Sequence, residues 1–261
     1  MATTAHAPSS TSAADALRPL AVPLGIVALV IVAMVVAPSR VPAGVVAQGV
    51  IFGGGTGLLA VGLVLTYRSH RIVNFAFGAM GGLAASVGVS LFLGQWGLPW
   101  PLCVLLSLLL GGVIGVCVER IVIRRFAKAS RLTLTMATIG LAQVLGGMEL
   151  LVPIIFNSRP LVGSFETPLN VVKVGIDPVV VTGNDLLLLA VVPLLLGALT
   201  WFLLKTEPGI AIRGIADNGE RARLLGIPVD RLSTLVWCIS GVTAAITVVL
   251  KSPTEGLVLD A

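Results

Sequence analysis

The sequence is poor in charged residues. Only 11% of its 261 residues are Asp, Glu, Lys or Arg, whereas a soluble globular domain needs about 25% to cover its outside. Because 56% of the residues are hydrophobic, the composition excludes both a soluble globular fold and a disordered chain. The class that remains is a membrane protein whose apolar surface faces lipid.

Cysteine and histidine are also scarce. The three cysteines, Cys103, Cys117 and Cys238, lie inside apolar stretches without paired spacing, which excludes a disulfide framework and a zinc site. The two histidines, His6 and His70, lie in a polar N-terminal tail and in a loop. No acid–base or metal constellation falls within the apolar stretches, so a membrane-embedded enzyme is poorly supported.

Long apolar runs dominate the sequence instead. As helices, which rise 1.5 Å per residue, seven of these runs can cross a hydrocarbon core of about 30 Å. They cover residues 20–37, 45–66, 72–94, 98–118, 132–156, 185–204 and 232–250. We therefore predict an all-α, polytopic membrane bundle of about seven spans or re-entrant segments, preceded by a disordered tail over residues 1–19.

Two of these runs allow a second interpretation. Segment 20–37 is either a retained first span or the core of a signal peptide, and only Arg18 supplies positive charge before it, which favours the retained span. Segment 72–94 is interrupted by glycines, so it either spans the membrane or forms a re-entrant or broken element.

Basic residues in the connections predict the orientation, because cytoplasmic loops carry an excess of Lys and Arg. Connection 119–131 has five basic residues against Glu119 alone. Counting spans outward from this connection places 67–71, 205–231 and the N-terminal tail on the same, cytoplasmic side. Together with connection 119–131, these segments hold 13 of the 17 basic residues. The net charge of +5 then reflects topology and does not indicate nucleic-acid binding. The C-terminus falls outside, directly after a span, which indicates an odd number of spans or, as we favour, a truncated chain.

Small residues at helical spacing predict close helix packing, since helices in lipid associate through tight contact. The predicted packing residues are Gly49, Gly53 and Gly57 in one ladder, the pair Gly78 and Gly82, and the pair Gly111 and Gly115.

Two polar residues are candidates for the translocation path. Glu149 is an ionisable group at membrane depth, which is the usual mark of a functional site; it either lines a polar path or reaches water or a neighbouring helix. Asn74 stands where a cationic loop meets a glycine-rich apolar segment. There it either bonds freed backbone or contacts a substrate. Glu149 also motivates the alternative of an ion-coupled secondary transporter or a channel.

The predicted cytoplasmic loop 205–231 mixes charged residues with an apolar spacing that indicates two short amphipathic helices. Asp217 or Asn218 is suited to cap the second helix, and Gly226 to end it. The apolar residues predicted to share one surface are Ala211, Ile215, Ala222 and Leu225. Such a surface fits a partner's groove, although a solvated loop or a helix bound to anionic lipid remains equally open.

On the opposite side, residues 157–184 contain two β-branched runs, 169–174 and 179–182, separated by Gly175 and Pro178. This pattern predicts a small extracytoplasmic hairpin.

Two motifs carry a resemblance to a known family: residues 67–78, which end in Arg-Ile-Val-Asn-Phe-Ala-Phe-Gly, and residues 209–218 continued by 222–227. They resemble the permease subunits of branched-chain amino acid ABC transporters. The first is similar to the family's Arg-Val-Ile-Asn-Phe-Ala-His-Gly segment, and the second is similar to its cytoplasmic coupling loop. Ser240 and Gly241 fit the span that follows the loop. The chain departs from the pattern at Phe77, where the family has histidine, and at Gly219, where proline is common. The family usually continues beyond the end of this chain, which supports truncation.

The resemblance implies a transport subunit of the cytoplasmic membrane that imports branched-chain or related small amino acids, with urea or short amides as the alternative within this class. Its implied partners are cytoplasmic ATP-binding subunits, a second permease subunit, an extracytoplasmic solute-binding protein and membrane lipid. The sequence has no Gly-x-x-x-x-Gly-Lys-Ser/Thr phosphate loop, so we expect ATP and magnesium to be held by a partner and not by this chain. The residues implied to couple to the ATPase are Arg213, Ala211, Ile215, Asp217, Asn218, Ala222, Leu225 and Gly226.

Overall fold

The computed structural model describes residues 42–126, 129–158, 167–176 and 179–255, together with five positions between 28 and 36. The predicted tail 1–19 lies outside these residues, and so does the predicted first span 20–37 apart from those five positions. The chain divides into two compact units, Met1–Gln48 with Gly175–Val180 and Gly49–Val174 with Val181–Ala261. Apart from the hairpin, which includes residues 175–180, the contacts discussed below lie within the second unit.

Helices dominate the described residues. In chain order they are α1 (Ala43–His70), α2 (Phe77–Val87), α3 (Trp100–Val118), α4 (Arg131–Ile155), α5 (Gly183–Lys205), α6 (Glu207–Asp217), α7 (Gly219–Leu224) and α8 (Val229–Glu255). A π-helical segment extends α2 over Gly88–Gln95, and a second one extends α3 over Glu119–Ile123. Within the described ranges, six helices are long and apolar enough to cross a membrane, which confirms a polytopic helical bundle.

The predicted segment 72–94 is irregular only at its start, and from Phe77 to Gln95 it is one helix that is long and apolar enough to cross a membrane. Residues 71–76 form an irregular turn, α2 begins only at Phe77, and the π-helical segment then carries the chain to Gln95. Gln95 donates a hydrogen bond from Nε2 to the carbonyl oxygen of Phe156 (2.6 Å). That bond joins the end of the segment to the end of α4.

Helix α8 packs against α3 and α2 through glycines. A Cβ atom at Gly115 would overlap the carbonyl oxygen of Trp237, and one at Gly111 would lie 2.6 Å from the carbonyl oxygen of Gly241. The indole of Trp237 is itself fully buried. These backbone contacts leave no room for a methyl group, so the glycine spacing on α3 is a helix-packing motif as predicted.

The longest predicted glycine ladder does not pack against the described part of this chain. Among the described residues, no atom lies within 4 Å of a Cβ built at Gly49, Gly53, Gly57 or Gly78. Packing at these four positions is therefore not made by the described helices of this chain, and it stays a prediction. Glycine spacing alone predicts a helix face without side chains, and it cannot predict which neighbouring helix packs against that face.

The predicted hairpin is present between α4 and α5. Strands β1 (Lys173–Ile176) and β2 (Val179–Thr182) form a two-stranded sheet, preceded by a 3-10 turn over Pro168–Val171. The first strand is shorter than the predicted run because the 3-10 turn takes up its beginning. Helix α5 follows at once, capped by mutual bonds between Thr182 and Asp185.

Candidate functional site at the basic end of the bundle

The three basic connections meet at one end of the bundle. Arg71, Arg124, Arg131 and Arg223, which come from all three, line one cavity of about 600 Å³. Counting spans alone predicted that connections 67–71, 119–131 and 205–231 share the cytoplasmic side. Their meeting agrees with that prediction, and it places loop 205–231 beside the 71–76 turn.

Helices α6 and α7 form the helical pair predicted for the loop. The Oδ1 atom of Asn218 accepts a hydrogen bond from the backbone N–H of Arg221 (3.0 Å) and so caps α7. Gly226 has a φ of 80°, and the turn after α7 closes with bonds from Gly226 N–H to Arg223 and from Ile227 N–H to Ala222. The cap at Asn218 and the stop at Gly226 are therefore confirmed.

The apolar residues of the helical pair do not share one exposed surface, and this prediction is wrong. Ala211 and Ile215 pack against the buried cluster formed by Leu65, Leu199, Ile212, Leu232 and Val236. Ala222 is only 3% exposed. An amphipathic helix can turn its apolar face toward its own bundle as well as toward a partner, and here the bundle takes it.

The most exposed apolar residues of the helical pair are instead at the end of α7, while Ile210 of α6 is 53% exposed. Leu224 is 88% exposed and Leu225 is 80% exposed. They stand next to each other at the point where the chain turns back toward α8. Leu225 was predicted from the sequence and Leu224 was not, because it falls outside the helical spacing of the other apolar residues.

The two charged candidates of the coupling loop also lie on α6. Arg213 is partly buried, and its Nε atom has no hydrogen-bond partner among the described residues. Asp217 ends the helix and lines the 600 Å³ cavity. Any role of these residues in coupling stays a prediction.

Arg71 links α6 to the 71–76 turn. Its guanidinium donates hydrogen bonds from Nε (3.1 Å) and Nη2 (2.6 Å) to the carbonyl oxygen of Ala216, in the last turn of α6. Carbonyls in this position have no partner within their own helix, and a cation there also complements the helix dipole. Sequence reasoning singled out the segment but missed this contact, since nothing in the spacing connects residues so far apart.

Asn74 holds the 71–76 turn from inside. It is fully buried, and its Oδ1 atom accepts a hydrogen bond from the backbone N–H of Ala76 (3.1 Å). Thr138 of α4 braces the same turn, donating to the carbonyl oxygen of Val73 (3.2 Å) and accepting from the N–H of Phe75 (3.4 Å). The amide therefore satisfies freed backbone, which is the first of the two roles predicted for it.

Phe77, where the chain departs from the resembled motif, fills the core. Its ring is 2% exposed and lies directly against Gly62 of α1. A Cβ at Gly62 would overlap this ring. The side chain thus performs apolar packing between α1 and α2.

A buried carboxylate ties α3 to α8. Glu119 is 2% exposed and accepts hydrogen bonds from Arg124 (Nε, 3.2 Å), Ser233 (Oγ, 3.1 Å) and Thr234 (Oγ1, 3.0 Å). Arg124 also donates to the carbonyl oxygen of Asp230 (3.2 Å). In the sequence, Glu119 stands out only as the one acidic residue of a basic connection. That feature was the available sign of a buried ion pair.

Glu149 reaches a neighbouring helix. It is half-buried on α4, and its carboxylate lies directly against Gly82 of α2. The hydroxyl of Ser86 donates to the backbone carbonyl of Glu149 (3.1 Å). The pairing shows why Gly82 must be small, and a place on the translocation path stays a prediction for Glu149.

Candidate metal ligands are not gathered anywhere in the described parts of the chain, where no three His, Cys, Asp or Glu side chains form a group that could hold a metal ion.

The fold and the basic end define a class: a multi-pass membrane protein in which a helical pair at the basic end contacts the irregular turn before a membrane helix. The sequence model of the family described as "Branched-chain amino acid transport system / permease component" matches residues 45–254. The chain belongs to this family and is a multi-pass protein of the cell membrane.

Curated relatives agree with this assignment. The chain is 27% identical to the high-affinity branched-chain amino acid transport system permease protein LivH of Salmonella typhimurium, over 81% of this chain and 70% of the relative. It is 26% identical to the permease protein BraD of Pseudomonas aeruginosa, over 81% and 71%. A probable LivH of Methanocaldococcus jannaschii is 28% identical over 72% and 59%. No solved structure matches the chain significantly.

Proposed function

We propose that this chain is the permease subunit of an ABC importer for branched-chain or related small amino acids, and that Leu224 and Leu225 form its contact with the ATPase. The family supports the transport role, and the relatives' names support the solute class. The proposed ATPase contact rests on the exposure of these two adjacent leucines of the helical pair, since Leu224 is 88% exposed and Leu225 is 80% exposed.

The arrangement suits a part that transmits movement. Exposed leucines at the tip offer an apolar anchor for a partner's groove. Behind them, Ala211, Ile215 and Ala222 fix the same helices to the bundle. A push on the tip is therefore carried into the membrane helices, which is what alternating access driven from outside the permease requires.

The remaining components are part of the same proposal. ATP and magnesium are held by the cytoplasmic ATPases, a second permease subunit completes the membrane unit, and an extracytoplasmic binding protein delivers the solute. This chain then performs no chemistry of its own. Of the two path candidates, Glu149 is the better placed, because Asn74 is fully buried and already bonded within its turn.

The first prediction concerns the ATPase contact. We expect Leu224→Asp and Leu225→Asp each to lower co-purification of the ATPase by about tenfold or more, since a charge replaces an apolar anchor. Val171→Asp is the control, because Val171 is equally exposed at 88% but lies beside the hairpin. A complex that stays intact in both leucine variants contradicts the proposed contact.

Substitutions on the inner side of the helical pair answer a different question. Ala211→Asp and Ile215→Asp place a charge in the cluster around Ile212. We expect them to reduce the amount of folded permease itself, so they do not report on the ATPase contact.

Solute and energy source are tested together by uptake in proteoliposomes. The complex should accumulate labelled leucine and valine when ATP is supplied, and it should do so without an ion gradient. Uptake of urea in place of the amino acids would instead support urea or short amides as the solute class. Uptake that needs an ion gradient and no ATP would contradict the importer.

A further inference from the structure

We infer that Arg71 is a positioning residue that transmits movement of the coupling helix α6 to the 71–76 turn, and through it to α2 and α4. The inference rests on the proposed function, because it assumes that an ATPase moves α6. It adds a specific connection between the driven helix and the membrane helices.

The Arg71 bond is the direct polar link between these two parts. Of the side-chain hydrogen bonds that the described residues make, only those of Arg71 join α6 to an element that is not its neighbour in the chain. Two of its donors converge on one carbonyl oxygen, with the shorter distance at 2.6 Å. A charged donor pair of this geometry is stronger and more directional than a neutral hydrogen bond.

The backbone of Arg71 is set for this contact. Its φ is 54°, in the left-handed region that residues other than glycine seldom adopt. Its N–H bonds the carbonyl oxygen of Tyr67 (2.7 Å), which ends α1 and turns the chain. An unfavourable conformation of this kind persists only where surrounding contacts hold it.

The turn that Arg71 begins is tied to the bundle at its other residues. Ile72 is 2% exposed and packs in the buried cluster that also contains Phe77, Leu134 and Trp237. Thr138 of α4 contacts the turn at Val73 and Phe75, and Asn74 closes it from inside. The turn is therefore fixed to α4 on one side and to α6 on the other.

The consequence is mechanical. When α6 moves, the carbonyl of Ala216 either draws Arg71 and the turn with it or loses its bond to Arg71. Since α2 begins directly after the turn, a turn that moves as one piece shifts the start of α2 and the residues of α4 around Thr138. Helix ends joined by a short, braced turn can transmit small displacements without bending.

The test compares variants in the reconstituted complex with its ATPases and second permease. Arg71→Gly removes the guanidinium and accepts the positive φ without strain, and Arg71→Lys keeps the charge but loses the paired donors. Arg125→Ala is the matched control, because Arg125 is exposed on the same connection as Arg124 and makes no side-chain hydrogen bond within the described residues. Three quantities are measured: co-purified ATPase, ATP hydrolysis without solute, and solute moved per ATP hydrolysed.

We expect Arg71→Gly to bind the ATPase and hydrolyse ATP as the unmodified complex does, while solute moved per ATP falls about fivefold or more. Arg71→Lys should fall between them, and Arg125→Ala should match the unmodified complex. A merely structural role would lower thermal stability and leave the ratio unchanged. If Arg71→Gly does not yield a folded complex, the ratio of Arg71→Lys decides.

Three results would overturn the inference. One is a transport ratio within twofold of the unmodified complex in Arg71→Gly or, where that variant does not fold, in Arg71→Lys. Another is loss of the ATPase itself, which would make Arg71 a residue of assembly. Absence of ATP-driven uptake by the unmodified complex would contradict the proposed function and this inference together, so the two failures are distinguishable.

Discussion

Replacing Gly115 with alanine is expected to unfold or strongly destabilise the bundle, although the change adds a single methyl group. The new Cβ would overlap the carbonyl oxygen of Trp237 and lie 2.9 Å from its carbonyl carbon. Both atoms belong to the backbone of α8, so no side chain can rotate away. Helices α3 and α8 must separate, and we expect a loss of about 3 kcal/mol, at the upper end of overpacking costs.

The control for this variant is Gly146→Ala on α4. Among the described residues, no atom lies within 4 Å of a Cβ built at Gly146. Alanine favours helix over glycine by about 1 kcal/mol, so this variant should be unchanged or slightly more stable. Unfolding in mixed micelles measures both variants. Equal stability of the two would contradict the close contact between α3 and α8.

The contrast between the two glycines also shows what the sequence can specify. Spacing identifies a helix face that allows close approach, and it did so correctly for Gly111 and Gly115. It gave the same signal for Gly49, Gly53 and Gly57, which meet none of the described residues of this chain. The partner of a smooth face depends on the tertiary arrangement, which one helix does not encode.

The coupling loop repeats the same limit. Local chemistry predicted the caps, because Asn218 and Gly226 act on backbone groups within a few residues. The direction in which the apolar face points is not determined by neighbouring residues in the sequence. Ala211 and Ile215 fit an apolar surface of either a partner or the protein's own bundle, and only the position of α6 beside Leu199 and Leu232 decides for the bundle.

The Glu119 ion pair was hidden for a geometric reason. Residues five apart lie on different faces of an α-helix, so the pattern gives Glu119 and Arg124 no contact. The π-helical turn changes this, as the hydrogen bond from Arg124 N–H to Glu119 O (2.8 Å) shows. It brings the two side chains together, and such turns are not evident in helical periodicity.

The same pair supports the last prediction: Arg124→Ala should destabilise the protein more than Glu119→Gln does, although both remove the same salt bridge. Arg124→Ala leaves a carboxylate that is 2% exposed with only the hydroxyls of Ser233 and Thr234. An uncompensated buried charge is costly. Because Arg124 is 45% exposed, solvent screens part of this pair, and we expect a loss of about 2 kcal/mol, below the range for fully buried pairs.

Glu119→Gln leaves a different residue unpaired. Arg124 then keeps the carbonyl oxygen of Asp230 and the hydroxyl of Thr234, and water reaches its exposed side. The glutamine amide retains an acceptor for Ser233, so we expect a loss of about 1 kcal/mol. The double variant should be more stable than Arg124→Ala alone, since it removes the unpaired charge. Thermal unfolding measures these three variants, with Arg125→Ala as the control. Additive losses in the double variant would show that Glu119 carries no buried charge for Arg124 to compensate.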